Sequence, residues 1–210
     1  MNPLASTPVS SQVLVESFAA PSGKIYLLYG ERTIFRFSML MAAKLLSVGA
    51  SIAVVDGCNS FNVHAITRYA CEWGLPPYPM LDRIFVSRGF TCYQMEAAVT
   101  QKLPRFLNDI RSHTAMVFGL LDTFYDEQAP LRDVQQIIIR VLDALHTMKQ
   151  RNISLLLTCE ELRVLPKERD QLFNTLMSGM DKIYHLTLDA NITPQLVLEH
   201  HHNMLLRRSA

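Results

Sequence analysis

Three positions near the start of the chain would complete a phosphate site if they carried other side chains. A phosphate-binding loop reads G-x-x-x-x-G-K-[ST] between a strand and a helix. Here Gly30 fills the first glycine, Phe35 stands at the second, Arg36 at the lysine and Phe37 at the hydroxyl residue. Such a loop works because backbone N–H groups wrap the phosphates and glycines let the chain come close. Phe35 puts bulk where the loop must close. Arg36 keeps a positive charge, but a planar guanidinium does not replace a compact ammonium. Phe37 supplies no hydroxyl to hold Mg²⁺. The context of a phosphate site is kept and its chemistry is missing.

The elements around this stretch alternate between strand and helix. Apolar runs at 25–29, 52–56, 83–87, 115–121 and 153–157 read as buried strands. Helices are expected at 38–48, closed by Gly49, at 63–73, closed by Gly74, and at 91–107. The last of these opens on Thr91 with Gln94 three residues on, a capping box. Longer helical patterns follow at 131–150 and 167–177. Segments 183–188 and 195–200 flank 190–194 and read as an antiparallel hairpin. The expected fold class is α/β, a mostly parallel sheet sandwiched by helices with a C-terminal antiparallel hairpin. Residues 1–22 read as an N-terminal arm rich in Ser, Pro and Ala, residues 23–206 as one core and 207–210 as a tail.

Composition narrows the class. With 210 residues, 49% hydrophobic and 19% charged, the chain can bury a substantial core. Its net charge of +1 advertises no global affinity for nucleic acid. The four cysteines, Cys58, Cys71, Cys92 and Cys159, form no C-x-x-C pair and read as buried, reduced thiols. No apolar run reaches the ~18 residues of a membrane span, and no secretory signal is visible. A cytoplasmic or nuclear protein that is not secreted is expected. For His200-His201-His202 no Cys or acidic partner completes a ligand set, so a solvated edge rather than a metal site is expected.

Several segments resemble, in order, the core of the RecA/RadA-like recombinases and their paralogues. Pro21-Ser22-Gly23-Lys24-Ile25 is similar to the turn leading into that family's P-loop strand. Asp56-Gly57-Cys58-Asn59-Ser60-Phe61 resembles its D-T-E-G-T-F segment, Leu81 to Phe90 its L-D-N-I-x-x-A-R-A-F, and Gln94-Met95 the Q-M that follows. The run 115–122 resembles the Walker B strand, and Thr158-Cys159-Glu160 lies where the family has a T-N-Q switch. The resemblance implies a RecA-like P-loop NTPase core with degenerate Walker motifs. It places Cys58 at the catalytic Glu, Glu160 at the γ-phosphate-sensing Gln and Asp122 at the metal-binding acid, with a turn-capping acid as the alternative for Asp122.

The departures imply a subunit without ATPase activity, assembling with a RecA-family protein or another paralogue in DNA recombination, repair or processing. No cofactor is expected. One alternative is a weak ATP·Mg²⁺ switch using Arg36 and Asp122. Another is a direct single-stranded DNA-binding module. Arg163, Lys167 and Arg169 lie where the resemblance puts the second DNA loop, and a solvated helix start is the other reading. The first DNA loop is acidic here, with Asp126, Glu127 and Asp133. In the arm, Val13, Leu14, Val15 and Phe18 are candidates for docking on a partner, or for a staple onto the chain's own core.

Overall fold

The computed structural model describes residues 8–9, 11–19, 23–126, 128–161, 167–188 and 194–199. Among these residues eight strands form one sheet: β1 (Pro8–Val9), β2 (Ile25–Gly30), β3 (Ile52–Asp56), β4 (Ile84–Arg88), β5 (Thr114–Phe118), β6 (Ser154–Glu160), β7 (Lys182–Leu188) and β8 (Pro194–Glu199). Their order is β1-β8-β7-β2-β6-β5-β3-β4. The six strands from β2 to β7 are mutually parallel, and β8 runs antiparallel to both β7 and β1. The fold is therefore α/β, with a mostly parallel sheet and an antiparallel C-terminal pair. The segment joining that pair lies outside the described residues, as do His200 to His202.

Every residue of β2, β3 and β5 is buried, as expected of parallel strands covered on both faces. The covering helices are α1 (Ser11–Ala19), α2 (Ile34–Ser47), α3 (Val63–Glu72), α4 (Pro77–Leu81), α5 (Cys92–Ala97), α6 (Leu103–Asp109), α7 (Leu131–Gln150) and α8 (Gln171–Ser178). One face buries Val134, Ile137, Ile138, Val141 and Leu145 of α7 with side chains of α5, α6 and α8. The other face buries α1 to α4. Among the described residues no helix is long and apolar enough to cross a membrane.

Several boundaries differ from expectation. Helix α2 starts at Ile34 rather than at 38, and β5 stops at Phe118 rather than at 121. Helix α4 went unread because Pro76-Pro77 looks like a loop, yet proline is tolerated in a first helical turn. The helix over 91–107 is three pieces, with a π segment at Ala98–Lys102 between α5 and α6 and Pro104 at the start of α6. Its capping box is half as drawn: Thr91 Oγ1 accepts from Gln94 N at 3.2 Å, but Gln94 Oε1 accepts from Phe90 N at 2.8 Å, one residue early. All four cysteines are free; Cys92 and Cys159 are buried, while Cys71 is exposed, against expectation.

The arm is corrected most. Its residues 11–19 form α1, and Leu14 and Phe18 are wholly buried in the chain's own core. Phe18 packs edge-on against Tyr26, with ring centroids 5.6 Å apart. Val15 is partly buried against the same cluster. These side chains are the staple, not a docking plug; the side chain of Val13 lies outside the described residues.

Candidate functional site at the carboxyl ends of the strands

Strand β2 leaves the sheet through α2 on one face, while β6 is followed by α8 on the other. The crevice between two such strands, at their carboxyl ends, is where open α/β sheets bind ligands. Gly30 closes β2 there, opposite Glu160 of β6 and Leu186 of β7. Its φ is +148°, and a Cβ would stand 2.7 Å from Leu186 O, so only glycine fits.

The turn after Gly30 leaves no cradle. Ile34 N donates to Glu31 O at 2.8 Å, Phe35 N to Arg32 O at 3.3 Å, Arg36 N to Thr33 O at 3.1 Å and Phe37 N to Thr33 O at 3.3 Å. The amides that would wrap a phosphate are consumed by the helix's own first turn. Phe35 is buried, with its ring centroid 6.1 Å from that of Phe118 in a stacked pair. Phe61 meets Phe118 edge-on at 5.5 Å. Phe37 is partly buried against this core. Ser38, one residue on, is buried with its hydroxyl 2.8 Å from Thr158 Oγ1, tying α2 to β6.

Asp56 organises the loop after β3. Its Oδ1 accepts from Cys58 N (3.3 Å) and Ser60 N (3.1 Å), and its Oδ2 from Phe61 N (3.1 Å). Arg88 Nε lies 3.5 Å from the buried carboxylate. Cys58 Sγ donates to Asp56 Oδ1 at 3.7 Å. Burial, reinforced by the carboxylates of Asp122 and Asp56 and opposed by a Ser60 hydrogen bond, pushes the Cys58 thiol up to about 12. It stays a thiol at neutral pH and is no nucleophile.

Asp122 is half-buried in the turn beyond β5, four residues past the strand rather than at its end. Burial raises its pKa; its own backbone N–H opposes that, Glu160 and Asp56 add to it, and Arg32 lowers it. A Cβ on Gly119 would stand 2.3 Å from Cys58 Cβ and 2.8 Å from Asp122 Oδ2. Gly30, Cys58, Asp122 and Glu160 therefore gather at one end of the sheet. Among the described residues no three His, Cys, Asp or Glu side chains form a group that could hold a metal ion.

Arg36 does not join them. It is exposed and lines a cleft of about 320 Å³ with Ser60, Asn62, His64, Arg68 and Tyr69, between α2 and α3. The cation beside Asp122 is Arg32. Arg169 is likewise no surface contact. It is 5% exposed and donates through Nη1 to Phe124 O at 2.6 Å and through Nη2 to Ala129 O, so it stitches the loop after β5 to the segment before α8. Lys167 opens a 3₁₀ turn, Lys167–Arg169, and its side chain lies outside the described residues, as does Arg163. Of the acidic loop, Asp126 Oδ1 accepts from Gln128 N at 3.0 Å, Asp133 Oδ2 accepts from Tyr93 Oη at 2.9 Å, and Glu127 lies outside the described residues.

Asp56, Arg32 and Gly119 were not anticipated as parts of the site. Asp56 was legible, since an acid ending a strand before Gly-Cys-Asn-Ser is an Asx-turn signature. Gly119 carried a weaker sign, a glycine ending an apolar run. Arg32 carried none. No protein-family model matches the chain, and no curated protein matches it significantly.

Proposed function

We propose that this chain is a catalytically silent relative of the RecA/RadA recombinase core, serving as an assembly or regulatory subunit in DNA recombination, repair or processing. The observation that carries the reading is the closed turn between Gly30 and α2: its amides are self-bonded and Phe35 is part of the core. On this reading a strand, a glycine and a helix keep the arrangement of a nucleotide site, and protein fills it. The ordered motif series and the parallel sheet support the family. The gathering of Cys58, Asp122 and Glu160 where the resemblance expects the catalytic, metal-binding and sensing residues supports it further.

Assembly has a surface to use. Strand β4 ends the sheet, and a groove of about 340 Å³ beside it is lined by Val54, Phe85, Val86, Leu103 and Phe106. An open edge with an apolar groove accepts an extended segment of a neighbour. Two measurements test the proposal. Calorimetry with ATP·Mg²⁺ is expected to give a dissociation constant of about 1 mM or weaker, near −4 kcal/mol; a micromolar constant would overturn silence. Affinity capture from native extract is expected to recover a RecA-family protein with the wild type and to lose it with Val86→Lys. Recovery of no such protein would overturn the assembly role.

A further inference from the structure

At the opposite, amino end of the sheet, α6 and the turns before β5 and β6 bring cations together. A cleft of about 300 Å³ is lined by Arg111, His113 and Arg151 with Asn108 and Ser112. No acid lines it. Arg105 and Lys102 sit on the same stretch of helix, with Asp109 as the neighbouring acid. Lys102, Arg105, Arg111, His113 and Arg151 are all exposed, and none of their side chains is in an ion pair or hydrogen bond among the described residues. Several cations elsewhere are spoken for: Arg83 bonds Leu46 O and Pro79 O, Arg140 pairs with Glu96, and Lys149 pairs with Asp181.

Arg111 adds a second argument. Its φ is +51°, in a left-handed turn that costs a non-glycine residue about 1 kcal/mol. Glycine or asparagine would sit there more cheaply. An arginine there puts a guanidinium at the mouth of the cleft. The charge is also local, because the chain as a whole carries +1 and the other end of the sheet holds Asp56, Asp122 and Glu160.

We propose that this amino-end surface binds the phosphate backbone of nucleic acid without reading sequence. The cations extend from the start of α6 to the turn after α7, farther than one small anion reaches; α6 with its leading Lys102 alone spans about 10 Å. Exposed guanidinium groups suit phosphate oxygens bidentately. No exposed aromatic lines the cleft to stack a base. The choice of nucleic acid over another polyanion rests on the DNA-processing reading above.

Fluorescence anisotropy of the full chain with a labelled 20-nucleotide single strand, and with its duplex, tests this. About four phosphate contacts predict a salt slope near −3 on the single strand, a loss of roughly 50-fold between 50 and 200 mM salt. Arg111→Glu combined with Arg151→Glu should weaken binding at least about tenfold and flatten that slope. Arg68→Glu, in the cleft between α2 and α3, should leave binding unchanged. Arg111→Gly relieves the left-handed strain and keeps the test clear of misfolding; it should weaken binding while the melting temperature stays the same or rises by a few degrees. No binding at 50 mM salt would overturn the proposal, as would binding indifferent to the double substitution. Polyglutamate displacing the oligonucleotide at equal charge concentration would also overturn it, in favour of an acidic protein partner. The two readings fail separately in the wild-type chain: oligonucleotide binding with no RecA-family protein recovered rejects assembly alone, and a recovered partner with no oligonucleotide binding rejects this surface alone.

Discussion

At Gly119 a single hydrogen atom decides whether two loops can meet. The residue has φ +59°, and any Cβ would fall inside Cys58. Gly119→Ala is expected to destabilise by at least about 2 kcal/mol, a drop of roughly 4–8 °C in Tm for a chain of this size. Cys58→Gly should restore part of that loss, because the clash is with Cys58 Cβ, while the left-handed strain of about 1 kcal/mol remains. Equal losses with and without Cys58→Gly would show that the clash is not the cause. At Asp122 the raised pKa fixes a sign. Between the ordinary carboxylate range and the raised value, the folded chain holds a proton that the unfolded chain has released, so stability falls as pH rises through that window. Asp122→Asn removes the titration. It should raise Tm relative to wild type at pH 7, with the gain vanishing near about pH 3, below the ordinary carboxylate pKa. A gain that persists at low pH would count against the burial of an ionised acid as the cause.

At the level of elements, Arg169 holds two carbonyls that otherwise have no secondary structure around them. Arg169→Met should cost about 3 kcal/mol, because buried hydrogen bonds from a charged donor are lost and the carbonyls are left unpaired. A surface arginine would cost under about 0.5 kcal/mol, so thermal or denaturant unfolding separates the roles. This residue also shows why the sequence misled. A cation in a Lys-Glu-Arg-Asp run reads as solvated, and nothing local says that Phe124 O and Ala129 O lie over it. The strands were legible because burial on both faces demands unbroken apolar runs, and α7 was read to the residue because its apolar side chains recur on one face. The start of α2 was not, since a phosphate-loop template pushed it four residues late. The site was legible in its members at or just past strand ends, Gly30, Glu160, Cys58 and Asp122, and illegible in Arg36 and Arg32. Which of two exposed arginines turns toward a crevice is settled by the turn that leads into α2, not by residue type.

At the scale of the whole molecule, the N-terminal segment is part of the architecture. It adds β1 to the outer side of β8 and buries Leu14 and Phe18 under α2 and the sheet. Removing residues 1–20 should therefore cost about 4 kcal/mol from the burial of those two side chains alone. Calorimetric melting of the truncated chain checks this, and an unchanged Tm would show the segment to be dispensable to the fold. Charge is also arranged at this scale, with acids at the carboxyl ends of the strands and unpaired cations at the amino ends.

The sheet has two edges, and they are not equivalent. At one, β1 lies along β8; at the other, no described strand pairs with the outer side of β4. The apolar helix that would reach out to a neighbour is already spent on the chain's own interior. Among the described residues, then, the molecule can receive a strand but has none to give. On the proposed reading its valence is one: added to a chain of like subunits it would set their number rather than extend it, and the ratio in which it is recovered with its partner would report that count.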